Sequence, residues 1–181
     1  MSDLQMNLIL RDITIDKDFR VSLPVEDISK IPGMCPGHEF IVAEHDNVLR
    51  IGELCSISEA NEVLQLAEER GLTRQDLSTL SAVYLYDEVK EIIENGEYLI
   101  IDFDSETTGW NFGNGGEHGA EDYGRLLYEH LGYNSYGCKI PSQLMDHITW
   151  ESNWNAAEAE GFRDVIINNH AYLVKGGMCC A

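Results

Sequence analysis

The sequence predicts an α+β protein in which α/β sections at either end flank a helical middle. Three observations predict it: short apolar runs near the N-terminus that alternate or cluster as strands do, helical periodicity from Ser56 to Gly96, and a return of strand-like runs afterwards. The sections so defined are residues 1–54, 55–96 and 97–181.

In chain order, Leu8 to Ile15 and Phe19 to Leu23 have strand patterns, and Pro24 stops the second. The stretch Ile31 to Gly37 holds two prolines and two glycines and reads as a loop. Glu39 to Glu44 is the next strand. A helix follows with Ser56 or Ser58 as its cap, an apolar stripe of Ala60, Val63, Leu64 and Ala67, and Gly71 as its stop. Thr73 with Asp76 opens a second helix through Leu77, Leu80 and Tyr84. Leu85, Val89, Ile92 and Ile93 recur at helical spacing and predict a third, ending at Asn95-Gly96.

Glu97 to Phe103 has the composition of a strand, and Ser105 to Gly119, with five glycines and no periodicity, that of a long loop. Asp122 to Leu131 is predicted helical and closed by Gly132. Leu144 to Trp150 and Ala171 to Val174 are the last strand candidates, with a short helix between them over Trp154 to Phe162. The pattern of Glu39 to Asp46 is echoed by Glu97 to Asp104 and more weakly by Asp146 to Glu151; chance similarity explains the echo as well as a true repeat does, so it serves only to place strand ends.

Composition narrows function. The chain has 32 Asp and Glu against 12 Lys and Arg, a formal net charge of −20 at pH 7. Binding to nucleic acid or to an anionic membrane through a basic patch depends on Lys and Arg displacing counterions, so both partners are disfavoured. The 3 Trp, 8 Tyr and 5 Phe separate it from disordered acidic tails. No apolar run approaches the roughly 20 residues of a bilayer span, and Met1 to Leu4 lacks the basic flank of a signal peptide, so a cytoplasmic location is expected. Five cysteines without a C-x-x-C pair predict reduced thiols, and Cys179-Cys180 does not fit the prenylation pattern.

The acids are concentrated. Between Leu85 and His130 stand twelve, Asp87, Glu88, Glu91, Glu94, Glu97, Asp102, Asp104, Glu106, Glu117, Glu121, Asp122 and Glu129, against two basic residues, Lys90 and Arg125. Asp87, Glu91 and Glu94 share a helix face at i, i+4 and i+7, a spacing at which like charges destabilise a helix by a few tenths of a kcal/mol per pair. Either that face has a use beyond stability or it is a solvated face that keeps the chain soluble. Asp102, Asp104 and Glu106 alternate, so an extended strand would point all three carboxylates one way, as a divalent cation requires. The calcium-loop pattern fails, since Thr107 stands where glycine is needed and Gly113 where glutamate is. A metal-dependent hydrolase using Asp102 and Asp104 with Glu117 and His118 stays open beside an exposed acidic loop.

Other chemistry is unsupported. The run Gly113 to His118 does not complete G-x-G-x-x-G, no P-loop lysine follows it, the six histidines have no H-E-x-x-H spacing, and no G-x-S-x-G elbow exists. The sequence thus calls for no catalytic residue, metal ligand set or cofactor.

Ser22-Leu23-Pro24-Val25-Glu26, the strand Glu39 to Asp46, and Ile51-Gly52-Glu53-Leu54-Cys55-Ser56-Ile57-Ser58-Glu59-Ala60-Asn61-Glu62 together resemble the antirestriction protein ArdA family. Leu77 to Glu97 and Asp122-Tyr123-Gly124-Arg125 are similar to its later sections, so the resemblance covers roughly Val21 to Val174. The segment ahead of Leu23-Pro24 is short for the family, and Thr107 to Gly119 looks like an insertion. The resemblance implies an elongated homodimer of small domains whose carboxylates imitate duplex phosphates. It further implies that they occupy the DNA-binding groove of a type I restriction-modification enzyme, formed by its specificity and methylation subunits. Duplex DNA carries one charge per about 1.7 Å, so 20 charges correspond to roughly 34 Å of helix. An acidic adaptor for another basic DNA-binding protein fits the same charge.

Overall fold

Every second residue of the first strand is buried, and this alternation places β1 (Met6–Asp12) at the centre of an antiparallel sheet. A computed structural model describes residues 4–52, 56–106 and 119–177. The chain divides into two compact units, Met1–Tyr98 and Leu99–Ala181, and both helices and strands build it, as the α+β expectation requires.

In the first unit β1 lies between β2 (Lys17–Leu23) and β3 (Phe40–His45), with Met6 opposite Leu23 and Asp12 opposite Lys17. Leu4, Met6, Leu8, Leu10, Val21, Leu23 and Val42 supply its buried face. Helix α1 (Ile57–Glu69) buries the predicted stripe of Ala60, Val63, Leu64 and Ala67. It is tied to the chain after β2 by the buried Asn61, whose amide accepts from Val25 N (2.7 Å) and donates to Val25 O (3.0 Å). Helix α2 (Arg74–Val83) opens on a reciprocal cap in which the Asp76 amide donates to Thr73 Oγ1 and the Asp76 carboxylate accepts from Thr73 N. Helix α3 (Tyr86–Asn95) follows and ends at Gly96, whose φ of +68° suits the residue that stops a helix.

In the second unit β4 (Tyr98–Asp102), β6 (His170–Gly176) and β5 (Phe162–Ile167) form a sheet in the order β4-β6-β5. A one-turn helix, α4 (Phe103–Glu106), continues directly from β4. Helices α5 (Ala120–Leu131) and α6 (Glu151–Ala159) complete the unit, and Ile101, Phe103, Tyr123, Leu126, Leu127, Trp154, Ala157, Phe162, Ala171 and Leu173 form its core. Phe103 and Trp154 contact the Tyr123 ring at centroid distances of 5.1 Å each.

Four expectations are corrected. The strand expected to run to Ile15 ends at Asp12, because the Asp12 carboxylate accepts from Thr14 N and turns the chain, leaving Ile13 and Ile15 exposed. Leu144 to Trp150 is no strand: Ser142–His147 form a 3-10 helix started by the bond from Leu144 N to Pro141 O. The third copy of the acidic echo falls with it. The last helix runs over Glu151–Ala159 rather than into Phe162, because Gly161, at φ +98°, ends it and releases Phe162 into the unpredicted strand β5. Finally, Asp102, Asp104 and Glu106 do not alternate along an extended strand, since β4 ends at Asp102 and the other two lie in α4. Most of the expected loop Ser105 to Gly119 lies outside the described residues.

Candidate acidic interaction surface

Helix α3 is built from opposed faces. Val89, Ile92 and Ile93 are buried, and Asp87, Glu88, Glu91 and Glu94 are exposed. Glu88 caps its own helix by accepting from Leu85 N at 2.9 Å. Among the described residues no hydrogen bond or ion pair engages the carboxylates of Asp87, Glu91, Glu94 or the half-buried Glu97.

Helix α1 packs beside α3 and adds acids that the sequence reading did not single out. Lys90 Nζ pairs with Glu62 Oε2 at 2.9 Å, and Tyr86 Oη donates to Glu59 Oε2 at 3.2 Å. The bond to Glu62, with the charges of Glu62, Glu94 and Glu59, raises the Lys90 ammonium above its ordinary pKa and keeps it charged. The single cation of α3 is therefore held within the acidic face. The signal for Glu59 and Glu62 was available: both lie off the apolar stripe of α1, on a helix that must pack its neighbours through that stripe.

The predicted acids of the second unit behave differently. Glu106 lies 3.0 Å from His130, Glu129 pairs with Arg125 at 2.9 Å, and Glu121 accepts from Trp150 N at 2.5 Å. Asp122 accepts from Gly119 N at the start of α5. Asp102 accepts from both Ser105 N (3.1 Å) and Ser105 Oγ (2.7 Å), and Asp104 accepts from Ala171 N (2.9 Å) with His170 Nδ1 at 3.7 Å. Each of these six carboxylates holds local structure. Glu117, with His118, lies outside the described residues. Burial, together with the charges of Asp164, Asp122 and Asp104, pushes the Tyr123 phenol up to about 12, so it stays neutral and apolar core is its role.

The structure thus places Asp87, Glu88, Glu91, Glu94 and Glu97 in the first unit, and Asp102, Asp104, Glu106, Glu121, Asp122 and Glu129 in the second. It brings Asp102 and Asp104 to His170, an encounter without any sequence signal. No helix among the described residues is long and apolar enough to cross a membrane. Comparison with protein-family models and with curated proteins finds no match to the chain.

Proposed function

We propose that the chain is an acidic protein surrogate for duplex DNA that inhibits a type I restriction-modification enzyme by occupying its DNA-binding groove, with no catalytic step of its own. The observation that carries the reading is the exposed face of α3, where Asp87, Glu91 and Glu94 stand without partners among the described residues at a spacing that costs helix stability. Four acids from Asp87 to Glu94 span seven residues of helix, about 10.5 Å, or one charge per about 3.5 Å. One strand of a duplex carries one per about 3.4 Å. Arginines and lysines that expect phosphates accept carboxylates in the same charge-assisted geometry.

The proposed form is a homodimer, which doubles the charge presented, and the proposed contacts are the specificity and methylation subunits. The test is competition: purified protein added to a type I enzyme and labelled duplex at low salt. Stoichiometric displacement of the duplex with loss of cleavage is expected. Undisturbed DNA binding at molar excess would falsify the reading. Displacement of DNA from an unrelated basic DNA-binding protein, with restriction unaffected, points to the adaptor reading instead.

A further inference from the structure

We infer that Asp102, Asp104 and His170 form a binding site for a divalent metal ion of the zinc class, at the junction of β4, α4 and the β5–β6 turn. One ligand atom of each residue lies within 4.8 Å of the others. Asp102 closes β4 and Asp104 lies in the adjoining α4, while His170 comes from far along the chain, opening β6 after a turn in which Asn168 and Asn169 both adopt positive φ. Such a turn makes a tight hairpin and fixes where His170 emerges.

Both carboxylates are oriented before any ion arrives. Asp102 is held by the amide and hydroxyl of Ser105, and Asp104 by the amide of Ala171, 67 residues away. Bonds of this kind are what aim the ligands of protein metal sites. His170 is packed against Tyr172, with ring centroids 6.5 Å apart, while its side chain stays 56% exposed and can turn.

The spacing of His170 and Asp104 is closer to that of two ligands on one ion than to a hydrogen bond. His170 Nδ1 stands 3.7 Å from Asp104 Oδ2, beyond hydrogen-bond reach. Two ligands each about 2.1 Å from one ion stand about 3.0 Å apart in cis octahedral geometry and about 3.4 Å apart in tetrahedral geometry. A rotamer adjustment of well under 1 Å at His170 closes the difference for that pair. Asp102 and Asp104 are half-buried like charges, in a chain already at −20, and a dication offsets their repulsion. The donor set selects the ion. An imidazole with two carboxylates suits zinc and its first-row neighbours, whereas magnesium and calcium take oxygen ligands alone. Three protein ligands leave the remaining positions to water. The ion would tie β4 and α4 to the hairpin.

The inference is independent of the DNA-surrogate reading, since it involves neither α3 nor a restriction enzyme. The test uses the full chain, stripped with a chelator, titrated with Zn2+ by calorimetry and with Co2+ while backbone amide signals are followed by NMR. One ion per chain is expected, with the largest Co2+ perturbations at the amides of Ser105 and Ala171. At least ten-fold weaker binding is expected in His170→Ala and in Asp102→Asn. Excess Mg2+ is expected not to displace the ion. Wild-type affinity in His170→Ala, perturbations centred elsewhere, or no binding by the wild-type chain overturns the inference. Because His170 is mostly exposed, the alanine variant tests the site without testing the fold.

Discussion

Replacing Asp87, Glu91 and Glu94 by Asn, Gln and Gln removes three charges from a helix face whose carboxylates have no internal partner among the described residues. If each meets a cation of the partner at a partly wet interface, the contribution is about 1 kcal/mol apiece. The triple variant then loses about 3 kcal/mol of binding, roughly a hundred-fold in inhibitory concentration. Its stability does not fall with its binding. Asp87 with Glu91 and Glu91 with Glu94 are like-charge pairs at i,i+4 and i,i+3, whose removal relieves about 0.5–1 kcal/mol of repulsion, offset in part by the loss of Asp87 from the first turn and of the Glu94 attraction to Lys90. The comparison variant, Asp16→Asn with Glu26→Gln and Glu39→Gln, removes equal charge from exposed positions outside α3. The assay is cleavage by a type I enzyme over a concentration series at two salt levels, with urea unfolding of each variant alongside. Weak inhibition together with an unchanged or raised unfolding midpoint is expected for the α3 triple alone. Equal loss in both variants would mean that total charge matters and the α3 face does not, which refutes the reasoning.

Three further outcomes follow from the packing. Gly124→Ala puts a Cβ into overlap with the Trp150 carbonyl, 2.9 Å from its carbon and 3.1 Å from Trp154 N. Because these are backbone atoms, the cost of about 1–3 kcal/mol or more exceeds the helix-propensity gain of about 1 kcal/mol, and thermal unfolding of the variant is expected to fall rather than rise. Asn153→Ala removes a fully buried amide that accepts from Ser135 N and donates to Gly124 O and Tyr133 O; a loss of about 2–4 kcal/mol in urea unfolding is expected, and a loss below about 1 kcal/mol contradicts the assignment. Burial pushes the Asp12 carboxyl up, but His38 at 2.6 Å and the amides of Thr14 and Ile15 outweigh it and hold the pKa below the ordinary value. A depressed carboxylate contributes stability above its unfolded pKa, near 4, and loses it as pH falls through the lower folded value. The wild-type advantage over Asp12→Asn, followed as urea midpoint against pH, is therefore expected to be present at pH 5 and to shrink as pH falls below 4.

The helices of the first unit were legible because their signals are local. Thr73 with Asp76, the stripe Val89-Ile92-Ile93 and the stops at Gly71 and Gly96 each act within one or two turns. The second unit defeated the same logic where partners are remote. Leu144 to Trp150 reads as a strand by composition, yet Pro141 and the bond from Trp150 N to Glu121, 29 residues away, decide its path. Strand β5 buries Phe162 and leaves Arg163, Asp164 and Ile166 exposed, so no alternation announced it. The acidic face of α3 was visible as i, i+4, i+7 spacing. The meeting of His170 with Asp102 and Asp104 was not, because it depends on strand order alone.

A net charge of −20 counts every carboxylate alike, but the structure separates two kinds. A carboxylate that already accepts from a backbone amide, as Asp102, Asp104, Glu121 and Asp122 do, has spent acceptor capacity and is fixed in direction. An arginine fork approaching it must share oxygens with those amides, and the bidentate geometry that makes phosphate recognition strong is compromised. Glu88 of α3 shares that commitment through Leu85 N, but among the described residues Asp87, Glu91 and Glu94 do not, so both oxygens of each remain open to a fork, and the lone lysine among them is drawn toward Glu62 rather than outward. A surrogate for phosphate needs charge whose acceptors are unspent. By that criterion the surface proposed to stand in for phosphate is the α3 face carrying Asp87, Glu91 and Glu94, since Glu59 and Glu62 of α1 are already engaged by Tyr86 and Lys90, and it is smaller than the sequence's run of twelve acids suggests.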